Sequence, residues 1–368
     1  MTGAAAQRRV DPATRRVCIA GAGFARRYAQ AFLRDPGTEV VGVCARTAES
    51  AAKLVATAGG NPYTDFDAML SNEGADIVVV ATPNYLHHPM AMAALQNGAE
   101  VICEKPLGLD AGQAAELTSY AASLGRQTGT SFTWRFLPAC VALKSLLDSG
   151  TLGELYHVEL RYFTRGFGTV HGPMRWQFDR SEAGSGALAN LGSHALDLIH
   201  WWFGDVVRVA SIARTVIPTR ATVAGDDAAV SVDDVCSATY ELAGGVPLSL
   251  TVGWVAHVER VGLDVAVHGS AGSAWLRFAT GERTLGQLAV CDETMARPST
   301  ITLDEPNAAE WADMGQACVS RLVAEFLDTR QGPDFVDGLR AQCVLDATLA
   351  ASQNRCWIDI VYPAAAVR

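Results

Sequence analysis

Residues Arg16–Ala20, RVCIA, run directly into Gly21-Ala22-Gly23-Phe24-Ala25-Arg26. The first five residues read as a short strand, and Ala25–Leu33 reads as the helix that follows the glycines. A strand that stops at a glycine turn and restarts as a helix opens a βαβ unit. Gly21 permits the tight turn there. Gly23 lets backbone amides approach a pyrophosphate at the helix N-terminus. The third glycine of the usual fingerprint is missing, because position 26 is Arg. Alone, the turn is equally consistent with a purely structural role; its position between strand and helix is what points to a dinucleotide.

Outward from this turn the alternation continues. Glu39–Cys44 reads as a strand and Thr47–Ala58 as a helix. Tyr63-Thr64 reads as a short strand and Asp65–Leu70 as a short helix. Asp76–Ala81 (DIVVVA) is nearly all aliphatic, as a strand buried on both faces must be. Tyr85–Asn97, Glu100–Cys103 and Ala111–Leu124 complete the series as helix, strand and helix. Such alternation predicts a doubly wound parallel sheet of the Rossmann type. After Phe136 the pattern changes. Pro138–Asp148 reads as a helix. Leu155–Thr164, Val207–Ile217, Val235–Leu242, Val246–Ala256, Gly262–His268 and Ser273–Phe278 read as strands of a mostly antiparallel sheet. Helices are expected at Ala187–Phe203, near Trp311–Leu327 and at Gly338–Asn354, with a last strand at Trp357–Val361. The expected class is therefore α/β. A flexible tail over 1–15 precedes a Rossmann domain over 16–136 and an α+β domain over 137–368.

Composition narrows the function. Lys and Arg number 29 against 39 Asp and Glu, a net charge of −10, which disfavours nucleic acid as a partner. No apolar run reaches the length of a membrane span. The Ala- and Arg-rich start has no apolar core after it, so a loose tail is expected rather than a secretory signal. Nine cysteines are scattered singly without a CxxC pair. They read as reduced thiols of a cytoplasmic protein. No metal site is expected: His87 and His88 are adjacent, and His200 lies off the helix face shared by His194 and Asp197.

Cofactor choice is read at the tip of the second strand, where the sequence is Cys44-Ala45-Arg46-Thr47. A carboxylate there would hold a ribose 2′-hydroxyl, whereas Arg accommodates a 2′-phosphate. NADP is therefore preferred over NAD. The alternative is that Arg46 only stacks on adenine and either nucleotide binds.

Further motifs follow in order: Thr82-Pro83-Asn84-Tyr85-Leu86-His87, Glu104-Lys105-Pro106, Gly184 through Asp197 (GSGALANLGSHALD), and Val267-His268-Gly269-Ser270-Ala271-Gly272-Ser273. Each is modest, but the ordered set spans nearly the whole chain. It resembles the glucose–fructose oxidoreductase and inositol dehydrogenase family (Gfo/Idh/MocA). The resemblance implies hydride transfer between NAD(P) and a sugar, cyclitol or related polyol. It also implies a C-terminal domain whose open sheet often forms an oligomer interface, hence a homodimer or homotetramer. The family's usual catalytic Lys and His correspond to Lys105 and His194. Three departures stand out. Ala25 takes the third-glycine place, Tyr28 falls where many relatives have His, and Asn190 stands where several have a catalytic Asp.

These chemistries assign roles. Oxidising an alcohol needs a group to take the hydroxyl proton and a cation beside the developing oxyanion. Neutral His194 suits the first task and Lys105 the second. A capping or core histidine and a solvated loop lysine are the competing readings. Asn190, one turn before His194, either hydrogen-bonds substrate in the catalytic group or caps the helix. Asp197 either orients His194 or makes a salt bridge. The expected cofactor contacts are Gly21, Gly23, Phe24, Ala25, Arg46, Thr82, Pro83, Asn84, His87, Glu104 and Lys105, with a capping turn the alternative for Asn84 and His87. The substrate wall implied by the resemblance draws on Arg135, Tyr162, Trp176 and Asp179, near Trp134 and His171, together with Asn190 and His194. A non-catalytic dinucleotide-binding regulator and a redox-neutral elimination enzyme with tightly held cofactor are the alternative functions.

Overall fold

The computed structural model describes residues 14–167, 172–255, 261–279, 285–292, 294, 297–303 and 310–367. Residues 1–13 of the expected tail, His171 and Ala256 lie outside these segments.

Six strands form the first sheet: β1 (Arg15–Ala20), β2 (Thr38–Cys44), β3 (Asn61–Tyr63), β4 (Ile77–Val80), β5 (Glu100–Cys103) and β6 (Thr128–Thr130). All pair in parallel, in the order β3-β2-β1-β4-β5-β6. This is the Rossmann order, and its direction of winding reverses between β1 and β4. The apolar runs explain the central position of these two strands. Val17 to Ala20 and Ile77 to Val80 are all fully buried. Alternate side chains face opposite layers. Val78 and Val80 pack with Leu95 and Leu117, whereas Val17, Ile19 and Val79 pack with Tyr28, Phe32 and Leu54.

That second layer is completed from far along the chain. Val319, Leu322, Val323 and Phe326, on the helix Met314–Asp328, join the cluster around Val17 and Ile19. The helix Phe335–Asn354 serves both halves: Phe335 and Leu339 pack on the parallel sheet, while Ala341, Val344 and Leu345 join the other core. The interface between the halves is thus built from the protein's own hydrophobic core.

The second sheet contains β7 (Leu155–Phe163), β8 (Val206–Arg214), β11 (Val235–Leu242), β12 (Pro247–Gly253), β13 (Gly262–Gly269), β14 (Gly272–Ala279), β15 (Gln287–Asp292), β16 (Ser299–Ile301) and β17 (Ile358–Asp359). A separate ribbon joins β9 (Thr219–Ala221) to β10 (Asp227–Ala229). The nine-stranded order is β16-β15-β14-β13-β7-β12-β11-β8-β17, antiparallel throughout except between β7 and β12. In β7, Val158, Leu160 and Tyr162 are buried while His157, Glu159 and Arg161 are exposed. One face is therefore apolar and covered by helices, and the other faces solvent. Among the described residues, no helix is long and apolar enough to cross a membrane. None of their His, Cys, Asp and Glu side chains cluster in a group of three or more that could hold a metal.

Several expected boundaries shift for local reasons. The helix expected from Trp311 starts at Met314, because Asp313 caps it through the Gln316 amide. The helix expected from Gly338 starts earlier, at Phe335, where Asp334 and Asp337 form a capping box. Ala187–Phe203 is not one uniform helix. Leu188–Gly192 is a π-helical turn, and only Ser193–Phe203 is α-helical. Gly186 before it is pressed against the Asp233 carbonyl, 1.9 Å from where a Cβ would sit. Wide turns of this kind often mark functional sites.

Candidate active site

The two strands at the switch point of the parallel sheet end in the glycine turn and in Ala81. Gly21 has φ +124°, and a Cβ there would lie 2.2 Å from the Ala81 carbonyl oxygen. Only glycine allows β1 and β4 to approach so closely and still turn. At Gly23, by contrast, a Cβ would meet nothing within 4 Å. The helix Ala25–Phe32 that follows has no side-chain cap on its first amides. An open turn with uncapped helical amides suits the pyrophosphate of a dinucleotide. Phe24, at the helix entrance, is 41% exposed, and Arg46 is exposed just beyond the tip of β2. Ala25 is buried, so its small size serves packing against the sheet.

Tyr28 ties this helix to the Glu104-Lys105-Pro106 motif. Its hydroxyl lies 3.0 Å from Glu104 Oε1 and 2.6 Å from Ser131 Oγ, and Ser131 donates to the same carboxylate oxygen at 2.7 Å. All three groups are buried. Burial raises the Glu104 pKa, and the Lys105 charge opposes that rise. The Lys105 backbone amide donates to Glu104 Oε2 at 3.2 Å. Glu104 thus fixes the loop from which Lys105 projects. The sequence reading singled out Tyr28 only as a departure and missed Ser131; neither signals a partner so distant along the chain.

Lys105 crosses from the parallel-sheet domain to the π-helical turn. Its Nζ donates to the Asn190 carbonyl at 2.8 Å and to Asn190 Oδ1 at 3.1 Å. An ammonium carries three protons, so one donor remains for a further acceptor. Burial lowers the Lys105 pKa, while Glu104 raises it.

His194 opens the α-helical part of the same segment and is 8% exposed. Its ring stacks on Trp134, with centroids 4.4 Å apart and planes 7° from parallel. Nδ1 is buried without a hydrogen-bond partner among the described residues. Burial and then the Lys105 charge hold the His194 pKa well below its usual value. The imidazole is therefore neutral near pH 7.

The other nominated residues divide into those inside this cleft and those bracing it. Asn84, Lys105, Trp176 and Asn190 line one pocket together with Gln177 and Trp254. The Asn84 amide donates to the Ala183 carbonyl at 3.0 Å. Both His87 ring nitrogens face backbone carbonyls, of Pro106 at 2.7 Å and Thr82 at 3.0 Å. His87 thereby clamps the Thr82-Pro83 loop to the Lys105-Pro106 loop. Thr82 Oγ1 is buried and unpartnered among the described residues. Arg135 Nε donates to both Asp197 carboxylate oxygens at 2.9 and 3.1 Å, and Arg135 also pairs with Asp337 at 3.0 Å. Asp197 thus makes the salt bridge, the second of its two expected roles, and the pair holds the His194 helix against the end of the first domain. Tyr162 packs edge-on to Trp134 at 4.5 Å. Asp179 caps the short helix Arg180–Ala183 through the Ser181 amide.

A glycine turn at the switch point of a parallel sheet, together with a half-buried lysine that reaches the turn before a neutral histidine, defines a dinucleotide-binding oxidoreductase architecture. The chain belongs to the Gfo/Idh/MocA family: residues 15–132 match its oxidoreductase family with an NAD-binding Rossmann fold, and residues 140–275 match its C-terminal domain. Glucose-6-phosphate 3-dehydrogenase of Bacillus subtilis is 26% identical over 91% of this chain and 95% of its own. Levoglucosan dehydrogenase of Pseudarthrobacter phenanthrenivorans is 24% identical over 82% of this chain and 84% of its own. A putative UDP-kanosamine synthase oxidoreductase subunit of Amycolatopsis mediterranei is 32% identical, covering 72% and 76%. Among solved structures, levoglucosan dehydrogenase in complex with NADH and L-sorbose superimposes with a TM-score of 0.85 at 23% identity, covering 95% of this chain and all of the other. At that identity the likeness speaks for the fold.

Proposed function

We propose that the protein is an NAD(P)-dependent dehydrogenase or reductase acting at a hydroxyl or keto carbon of a sugar, cyclitol or related polyol. The observation that carries this reading is the pair of hydrogen bonds from Lys105 to Asn190, one helical turn before the neutral His194. The residues present fit a dinucleotide. Gly23 and the uncapped amides after it would hold the pyrophosphate, and Arg46 would face the adenosine ribose. Thr82, Pro83 and Asn84, at the end of β4, would flank the nicotinamide side. When bound, the nicotinamide supplies or accepts the hydride.

The chain's own residues do the proton work. Lys105 has one donor left after Asn190, and it is directed to the reacting oxygen of the substrate. His194 accepts the hydroxyl proton in oxidation and returns it in reduction. Its lowered pKa keeps it neutral and ready to accept. Asn190 cannot exchange a proton; it orients Lys105 through both of its oxygens. Trp134 fixes the imidazole plane. The Asp-assisted relay of relatives is replaced by an amide that positions the lysine.

Arg46 in place of an acid favours NADP, with NAD the alternative. The bare polar face of the nine-stranded sheet supports a homodimer or homotetramer. Nine free cysteines, seven of them buried, favour a reducing compartment such as the cytoplasm.

Turnover of polyols, aldoses and keto-sugars by purified protein tests the reading. Lys105→Met and His194→Ala should each lower kcat/KM by about 10²–10⁴-fold with nucleotide still bound. Nucleotide binding with no turnover in the unmodified protein would favour a regulator. A nucleotide that never leaves would favour redox-neutral elimination. Arg46→Ala should weaken NADP far more than NAD, and equal losses would remove the NADP preference.

A further inference from the structure

Gly184-Ser185-Gly186 leads into the π-helical turn, and the oxidoreductase reading above gives this stretch no task. Three donors from the stretch and the turn converge on one buried side chain, Asp233. The Ser185 hydroxyl donates to Oδ1 at 2.6 Å, and the Gly186 amide donates to the same oxygen at 2.7 Å. The Leu188 amide donates to Oδ2 at 2.8 Å. Between them, the Ala187 amide donates to the Asp233 main-chain carbonyl at 2.9 Å. Three consecutive amides at the head of the turn are thus held by one residue, where helical amides have no partners of their own.

The anchor is rigid. Asp233 lies two residues before β11, which pairs with β8 on one side and β12 on the other. Its neighbour Asp234 pins the same end of the strand. Asp234 accepts from the Val216 and Ile217 amides at 2.7 and 2.8 Å and from the Trp254 indole at 2.6 Å.

What the anchor fixes is the approach to Lys105. The Asn190 amide donates to the Gly186 carbonyl at 2.9 Å, inside the stretch that Asp233 holds. Asn190 then receives Lys105 Nζ on its main-chain oxygen and on Oδ1. A side-chain oxygen can be re-aimed by rotating χ angles, but a main-chain oxygen moves only with the backbone. Whatever sets the backbone of the turn therefore sets the lysine.

We propose that Asp233 is a positioning residue: it holds the π-helical turn so that both Asn190 oxygens meet the Lys105 ammonium. It acts through Asn190. Its consequence for turnover rests on the oxidoreductase reading, whereas the link itself can be measured without substrate.

The chain has three lysines, Lys53, Lys105 and Lys144. NMR of protein carrying ¹³C-lysine follows Lys105 through an alkaline titration, with Lys105→Met assigning its signal. Asp233→Asn keeps the shape but leaves one acceptor oxygen, so its NH₂ opposes either the Leu188 amide or the Ser185 and Gly186 donors. Hydrogen bonds to Asn190 favour the ammonium, so loosening them must lower the Lys105 midpoint. The expected drop is about 0.5–1 pH unit, the loss of one neutral hydrogen bond. Ser185→Ala removes one of the three donors and no charge, and should shift the midpoint the same way by less. An unchanged midpoint in both variants overturns the proposal. A shift in Asp233→Asn alone also overturns it, since the lost charge would then suffice. Should the Asn variant not fold, Ser185→Ala decides.

With any polyol or sugar that is turned over, Asp233→Asn should lower kcat by about 10- to 100-fold, the cost of a misplaced catalytic group, with nucleotide affinity unchanged. A parental kcat beside a shifted midpoint overturns the positioning role. Absence of turnover in the unmodified protein overturns the oxidoreductase reading, and the titration still judges Asp233.

Discussion

Two glycines of one turn should respond to the same substitution in opposite ways. Gly21 sits at φ +124°, and its missing Cβ would fall 2.2 Å from the Ala81 carbonyl oxygen. Alanine there must adopt a backbone conformation that L residues avoid, which costs about 1–3 kcal/mol. It must also push β1 and β4 apart in a fully buried layer, at a further cost of about 1–3 kcal/mol. The sum, about 2–6 kcal/mol, is a large share of the roughly 5–15 kcal/mol that holds a typical protein folded. Gly23 has no positive φ, and an added Cβ meets nothing within 4 Å. Gly23→Ala should therefore leave stability within about 0.5 kcal/mol of the parent. The methyl group would instead occupy the space through which the phosphates approach the helix amides. Losing one charge-assisted hydrogen bond of about 1.5–3 kcal/mol would weaken the nucleotide by about 10- to 150-fold. Denaturant melts and nucleotide titration of both variants separate the effects. A Gly23→Ala protein that binds nucleotide like the parent would refute the cradle. A Gly21→Ala protein of parental stability would refute the close approach of the strands.

Other substitutions probe the cleft. Trp134→Ala removes the ring stacked on His194 and should destabilise the protein by about 3–5 kcal/mol; Trp134→Phe should keep most of the stability and lower kcat, read by melts and steady-state rates. Burial lowers the Lys105 pKa, so the alkaline limb of the rate profile should begin below the ordinary lysine value of 10.5. Asn190→Asp places a carboxylate where Oδ1 now lies 3.1 Å from Nζ, which favours the ammonium and should move that limb upward. A limb that stays in place would separate Lys105 from the observed titration.

Much of this molecule could be read from its residues. RVCIA before Gly21 and DIVVVA at Asp76–Ala81 announce buried parallel strands, because only a strand covered on both faces is aliphatic throughout. The alternation in β7 and β11 likewise announces a sheet with one wet face. Short elements escaped, including β9, β10, β15 and β16, because three to six residues of mixed polarity carry no period. Lys105 and His194 were legible as motifs, whereas what surrounds them was not. Trp134 on His194, Tyr28 on Glu104 and Arg135 on Asp197 are contacts between segments separated by 60 or more positions, and nothing local encodes them. The π-helical turn was hidden, since nothing in the residues Leu188–Gly192 sets them apart from the helix that follows.

The convergence of Lys105 and His194 can be tested without any substrate. The His194 imidazole is followed by NMR through an acid titration in the unmodified protein and in Lys105→Met. With the ammonium gone, one of the two influences that lower the His194 pKa is removed, so its titration must move toward higher pH. The same midpoint in both proteins would mean that the lysine's charge never reaches the imidazole, and the shared catalytic centre would not exist.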